Sequence, residues 1–373
     1  MIKFGVVSYN MYCNFTNYGS ALQSYALYTI INRIGKDRFK AILVDYCPKS
    51  HLDKDPLNPI KNMWDTDEES ILMCKLSMPA IRENYKKFTD FYRNMFTISS
   101  KYTYENFDDI VEKDNINAFV CGSDTIFCIE EFNGFDDGYY ANFPCMRNGF
   151  TISYAASFGD SNFNELNEKE LVKRLYNFKS LGIRENRMIP FIKKETDIPC
   201  EQTIDPTLLL KKEDYDKLAT ERIVKEKYIL LYARRYDKGM FDYADKIAKR
   251  LDCKVVNISL RASYKDKHMM FYNAGVEEFL SLVKHSEYVV TNSFHGLIFA
   301  VQFSKKFTVF TREQAGNKIA ELLDLFGLQE RHIKFCGENF DDLIDYEKVH
   351  SRISNARKNS IMFLSEALNN YFL

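Results

Sequence analysis

The feature that most restricts the fold of this chain is an alternation. Short β-branched or aromatic runs recur along it, each followed by a stretch of helical periodicity. That order marks βαβ units, in which helices cover a parallel sheet. The first strand is predicted at residues 3–9. A polar loop follows, then a helix from about Ser20 with Leu22, Tyr25, Ala26, Ile30 and Ile34 on one face. Further strands are predicted at 41–46, 118–121, 151–154 and 181–183, and residues 204–207 read as a strand ending at a turn before Pro206. Residues 47–78 lose all periodicity and read as an irregular insertion, with a charged helix near 80–95 behind it. A second series follows the charged run 211–227. Its strands fall at 228–232, 254–257, 288–291 and 307–310, with helices near 239–251, 276–285, 295–303 and 316–326.

A chain of 373 residues is long enough for two such units. The expected fold is α/β, with two Rossmann-type domains whose parallel sheets face each other across a cleft. The expected division is 1–210, with an insertion at about 47–80, then 211–340, hinged around 206–226. Residues 341–373 form a C-terminal helical segment, with Ile361, Leu364 and Leu368 spaced for burial, that packs back on the first domain. Lys plus Arg number 51 and Asp plus Glu 52, so no global attraction to nucleic acid or an acidic membrane is expected. Nine cysteines without a CxxC pair, and without a histidine at zinc-ligand spacing, read as reduced thiols and predict no metal site. No leader pattern stands at residues 1–10 and charge interrupts each apolar stretch, so the expected location is cytoplasmic.

Ligands of such sheets lie at the carboxyl ends of strands, which directs attention to the loops there. In the first loop, Asn17-Tyr18-Gly19-Ser20, Gly19 permits close backbone approach and Ser20 can cap the helix, leaving amides for an anion or a sugar hydroxyl. An ordinary capped turn would look the same. Gly122-Ser123-Asp124 follows the strand at 118–121, and Asp124 is placed either to bind a hydroxyl and act as a base or to form an Asx turn. The sharpest signal is Thr291-Asn292-Ser293-Phe294-His295-Gly296, which puts His295 in the first turn of an apolar helix. His51 and the other histidines lack that setting and read as surface or packing residues. Cationic candidates are Arg184, Arg234, Arg235 and Lys318, each just past a strand or near a helix start.

Taken in order, these segments resemble the polysaccharide pyruvyl transferase family. The resemblance rests on Asn17 to Leu27, Gly122-Ser123-Asp124, Ser153 to Gly159, Arg184-Glu185, Asp205 to Leu209, Val276 to Leu280 and Thr291 to Gly296, and it spans about residues 1–330. It implies a GT-B-like fold and transfer of pyruvate from phosphoenolpyruvate to a sugar hydroxyl pair, as a ketal, in surface or capsular polysaccharide biosynthesis. The family's histidine falls on His295, and its donor-binding basic position on Arg184 or Lys318. Further expected donor contacts are Ser293, Arg234 and Arg235. Asp124 is expected to act with His295 in catalysis, and Asn17, Tyr18, Gly19 and Ser123 to bind the acceptor, with Tyr18 as a stacking surface for sugar. Phosphoenolpyruvate is a co-substrate in this reading, with no other cofactor. The acceptor is a sugar or a lipid-linked oligosaccharide, through which peripheral membrane contact is open. The chain departs from the family at Ser293, where some members carry Arg, at Thr125 and Phe127, where Gln and Trp are usual, and at Lys306, where Pro is usual. Two other readings compete: a GT-B glycosyltransferase using a nucleotide sugar, and a non-catalytic member of a polysaccharide assembly system. A nicotinamide enzyme is disfavoured by the missing glycine fingerprint.

Overall fold

The computed structural model describes residues 1–9, 11–12, 15–62, 67–258, 268–311, 316–336 and 342–373. Two parallel sheets organise them. The first holds β1 (Ile2–Val7), β2 (Phe39–Tyr46), β3 (Ile98–Tyr102), β4 (Ala118–Cys121), β5 (Phe150–Ala156), β6 (Leu181–Ile183) and β7 (Cys200–Gln202), in the order β3-β2-β1-β4-β5-β6-β7. The second holds β8 (Tyr228–Tyr232), β9 (Lys254–Ile258), β10 (Met269–Met270), β11 (Tyr288–Thr291) and β12 (Lys306–Val309), in the order β10-β9-β8-β11-β12. Every pairing is parallel, as the near-continuous apolar runs require of strands covered on both faces. Each sheet reverses its strand order once, between β1 and β4 and between β8 and β11. These are two Rossmann-like domains in a GT-B-like arrangement.

Six helices matter to the site: α1 (Tyr18–Gly35), α2 (Glu68–Met95), α3 (Val276–Lys284), α4 (Phe294–Gln302), α5 (Gly316–Phe326) and α6 (Tyr346–Asn369). The sequence reading placed the start of α1 at Ser20. The chain turns helical two residues earlier because Asn17, not Ser20, is the cap: its side-chain oxygen accepts from the amides of Gly19 and Ser20. The insertion also ends sooner than read. α2 begins at Glu68, capped by Asp67 and led by two acidic residues, and continues through Pro79. That proline hid the first half of the helix, which a proline in the interior normally interrupts. Residues 206–208 form a 3-10 turn rather than a strand, and the edge strands β3, β7 and β10 were not foreseen. β7 and β10 have three and two residues, too short to show a period.

The domains share one apolar cluster, in which Tyr18, Leu22 and Ala26 of α1 join Phe279 and Leu280 of α3 and Leu297 of α4. Tyr18 is the pivot. Its ring stacks on Phe279 at 4.6 Å, and its hydroxyl donates to the Ala274 carbonyl at 2.8 Å. Burial raises the Tyr18 phenol far above its ordinary range. α6 returns to the first domain. Its Ser360 hydroxyl accepts from the Ile204 amide at 3.1 Å, and Arg357 donates to the Leu208 carbonyl at 2.7 Å. Among the described residues no helix is long and apolar enough to cross a membrane. Tyr18→Ala is expected to cost about 3–5 kcal/mol, read by urea unfolding. Tyr18→Phe should cost only the hydroxyl's bond, about 1 kcal/mol.

Candidate functional site

The two strand-order reversals face each other. Residues 8–9 and 15–17 and the loop at 122–125 lie at the first, and loops at 233–237 and 292–295 leave the second. Between them lies a cavity of about 580 Å³. Arg234, Arg235, Ser293, His295 and Lys318 line it from the second domain, and Asn17, Asp124 and Arg184 from the first. Sequence separation of up to 309 positions (Tyr9 to Lys318) is thereby closed into one site.

The local reasons are specific. Ser293 caps α4, its hydroxyl accepting from the Gly296 amide at 3.2 Å. Gly296 must lack a side chain because a Cβ there would stand 2.4 Å from Thr291 Oγ1. Asn292 ties the two loops of the second domain together, accepting from the Arg234 amide at 2.7 Å and donating to the Arg235 carbonyl at 3.1 Å. On the other side Gly122 has φ of +158°, and a Cβ would lie 2.0 Å from the Tyr154 carbonyl oxygen. Asp124 follows with φ of +69°, a left-handed conformation that its short polar side chain tolerates. Its carboxylate accepts from Ser20 Oγ at 3.1 Å and from the Thr125 amide at 2.9 Å. Ser20 is therefore a ligand of Asp124 rather than a helix cap.

At the seam between the domains, Asp205 is buried and approached by a guanidinium and an imidazole. Arg184 NH1 lies 3.1 Å from its Oδ2, and His295 Nε2 lies 3.5 Å from the same oxygen. Thr207 donates to Oδ1 through its amide at 3.0 Å and its hydroxyl at 2.6 Å. Burial alone would raise the Asp205 carboxyl, but His295, Arg184 and Thr207 together outweigh it and hold the group well below the usual carboxylate range. His295 Nε2 makes no hydrogen bond: its 3.5 Å approach to Asp205 is too long and poorly aligned for one. The guanidinium of Arg184 also lies 3.3 Å from Glu185 and 4.7 Å above the Phe294 ring. Glu185 is fixed in turn by Ser157 and by the Phe158 amide at 3.1 Å, which gives the 153–159 segment its role.

Not every expected contact reaches the cavity. Tyr18 is 2% exposed and packs between the domains, so it offers no surface to a sugar. Ser123 is fully buried, its amide donating to Gln23 and its hydroxyl to the Ala155 carbonyl. Gly19 lies directly under the catalytic candidate: a Cβ there would stand 2.0 Å from His295 Nδ1. Its use is close packing across the domain seam. His51, read as a surface or packing residue, lines the cavity with Tyr9 and Phe15. Asp205, Glu185, Glu131 and Phe294 were not singled out as site residues. Asp205, Glu185 and Phe294 stood in motifs that hinted at them, and Glu131 did not.

Lys318, on the first turn of α5, is half-buried. Burial lowers its pKa, as does Arg184, against Glu185, Asp124 and Glu131. Among the described residues no carboxylate comes within ion-pair distance of it. Charge is divided between the two walls. The second domain contributes Arg234, Arg235 and Lys318, whereas Asp124, Glu130, Glu131 and Asp160 all belong to the first.

Gly19→Ala is expected to destabilise by about 1–3 kcal/mol in urea unfolding. Because the obstruction is the imidazole, Gly19→Ala should cost much less when made in a His295→Ala background than in wild type. Asp205→Asn should cost about 3–5 kcal/mol. Since the folded carboxyl titrates below its unfolded value, the contribution of Asp205 is complete above about pH 4. It is lost as pH falls through the folded pKa, so wild type and Asp205→Asn should converge in stability on acidification.

Known proteins bear on this geometry in two ways. In overall structure the chain is similar to a putative UDP-N-acetylglucosamine 2-epimerase from Listeria monocytogenes, with a TM-score of 0.55 at 11% identity, over 100% of this chain and 96% of that one. It also matches S. aureus MnaA with UDP, with a TM-score of 0.48 at 13% identity, over 95% and 91% of the two chains. The first likeness supports the fold alone. No curated protein matches in sequence. The model of the polysaccharide pyruvyl transferase family matches residues 17–314, from the cap of α1 to just short of α5, and so takes in both strand-order reversals. The chain belongs to the polysaccharide pyruvyl transferase family.

Proposed function

We propose that the protein moves pyruvate from phosphoenolpyruvate onto a pair of sugar hydroxyls, closing a ketal, in the synthesis of a surface or capsular polysaccharide. The observation that carries this reading is the division of one cleft into a cationic wall, with His295 at the start of α4, and an acidic wall opposite. Phosphoenolpyruvate carries a phosphate and a carboxylate around a reacting carbon, and a wall of this kind suits it. Lys318 is the stronger anion ligand, because Arg184 already serves Asp205 and Glu185. The positive end of α4, with Ser293 as its cap, adds to the attraction, as do Arg234 and Arg235.

Protonation of the methylene carbon gives C2 cationic character, and a sugar hydroxyl attacks it. Phosphate leaves, and a second hydroxyl closes the ring. In this sequence His295 donates the proton or serves the departing phosphate, and Asp205, 3.5 Å from Nε2, holds the imidazole and gives its charged form a counter-ion. Asp124 engages the acceptor. Fixed charges and positioning supply most of the acceleration. The reaction would run in the cytosol and meet the membrane only through a lipid-linked acceptor.

In thermal-shift binding, phosphoenolpyruvate should raise the melting temperature and UDP should not. The reverse result would favour a nucleotide-sugar transferase, and no shift with phosphoenolpyruvate would sink the reading. His295→Gln should lower phosphate release in the presence of acceptor by about 10²–10⁴-fold while keeping the phosphoenolpyruvate shift. Lys318→Ala should lose the shift. Because the pKa of Lys318 is lowered, donor affinity in wild type should fall on the alkaline side before the ordinary lysine range is reached.

A further inference from the structure

The proton balance of ketal formation makes a demand that Asp124 alone does not meet. Two hydroxyl protons must leave the acceptor. One ends on the methyl carbon and the other on the departing phosphate, while two C–O bonds to the sugar form, the C–O bond to phosphate breaks and the C=C bond is consumed. The acceptor wall therefore needs hydrogen-bond acceptors for two hydroxyls. The wall holds a second carboxylate built for this. Thr125 donates its amide to Asp124 at 2.9 Å and its hydroxyl to Glu131 at 2.6 Å, so one residue clamps both groups. Glu131 is open to cleft water but crowded by protein. That crowding raises its carboxyl above the ordinary value, against Thr125, while Asp124 raises it further and Lys318 opposes. The neighbouring Glu130 is already engaged, accepting from Ser161 and from the Asn162 amide at 3.2 Å.

The rest of this wall is aromatic and short of positive charge. Tyr9 and His51 are 8% and 6% exposed, their rings 5.7 Å apart, and Phe15 lines the same side. Burial, with Lys54 nearby, lowers the His51 pKa to about 4, so that imidazole is neutral at physiological pH. Lys54 and the doubly paired Arg184 are the cations that the first domain turns to the cavity, against Asp124, Glu130, Glu131 and Asp160.

We infer that Asp124 and Glu131, clamped by Thr125, form a diol-binding site that takes a neutral sugar and rejects a uronate or a sugar phosphate. The inference rests on the pyruvyl-transfer reading for its chemistry, but its binding test does not. A uronate carboxylate would enter a wall on which four carboxylates outnumber the cations Lys54 and Arg184, whereas a neutral hexose offers hydroxyl donors to both carboxylates and a ring face to the aromatic side chains.

The test measures binding of methyl hexopyranosides and a methyl glucuronide to the full chain by saturation-transfer NMR, without phosphoenolpyruvate. At least one neutral hexoside should bind, at least tenfold more tightly than the glucuronide. Glu131→Gln keeps a carbonyl for Thr125 and should weaken hexoside binding tenfold or more. The phosphoenolpyruvate thermal shift should stay intact in this variant. With phosphoenolpyruvate present, Glu131→Gln should raise the acceptor KM and lower kcat. Equal binding of hexoside and glucuronide, no hexoside binding, or a Glu131→Gln variant with wild-type affinity would each overturn the inference. Absence of any phosphoenolpyruvate shift or phosphate release, with hexoside binding intact, would instead remove the pyruvyl-transfer reading and leave the sugar site standing.

Discussion

The carboxylate of Asp205 is the interaction on which the site depends. Arg184 and His295 come from different domains and are 8% and 7% exposed, and the buried Arg184 guanidinium needs a negative charge beside it. Asp205 supplies that charge from a 3-10 turn whose geometry its own side chain helps to set, through the Thr207 amide. The consequence spreads outward. Arg184, held on one side by Asp205 and Glu185, sits 4.7 Å over the Phe294 ring, and Phe294 begins the helix that carries His295. A cation of the first domain thus fixes the start of a helix in the second.

That arrangement explains how a nearly neutral chain, with a formal net charge of −1, presents a strongly polar cleft. The carboxylates lining the cleft all stand on the first domain, where they outnumber Lys54 and Arg184, and the second domain presents Arg234, Arg235 and Lys318. Two reversals of strand order create the walls, and each places loop ends of one domain opposite those of the other. Cations gather on the second domain near the positive end of α4, and carboxylates gather on the first beside the left-handed turn at Asp124. Opposite charge across the gap keeps each set from destabilising itself, so the net charge of the molecule carries no information about what it binds.

Much of this was legible in the sequence, and what was not has physical causes. The strands with long apolar runs and the helices with strong periodicity were readable because burial on both faces of a sheet, or on one face of a helix, writes a regular pattern. His295, Asp124, Arg184 and Lys318 were readable from their places after strands or at helix starts. Tyr18, Gly19 and Ser123 were misread because a loop motif states which residues are adjacent and not which face the solvent. Gly19 serves a histidine 276 positions away, and no local rule points there. Glu131 and His51 were missed for the same reason. Their importance comes from a wall assembled by the fold, and neither stands in a motif that announces it. Pro79 concealed half of α2 because propensity argues against a proline in a helix, whereas packing of that helix on the domain seam retains it.

Two-domain clefts often open and close, and the default expectation for a modest polar interface is relative motion. Here the interface is of another kind. The apolar cluster runs without a break from α1 through α3 and α4, Tyr18 stacks on Phe279, and Lys87 of α2 bridges to Glu278 of α3 at 2.8 Å. Separating the domains would expose that cluster and strip Asp205 of His295. Gly19 packs directly under the imidazole, where a Cβ would stand 2.0 Å from Nδ1. The domains are thus joined through a packed apolar seam beside the cleft. Under the proposed reaction, fixed charges on both walls would act on developing charge without first having to be brought into place, the condition under which electrostatic stabilisation is largest.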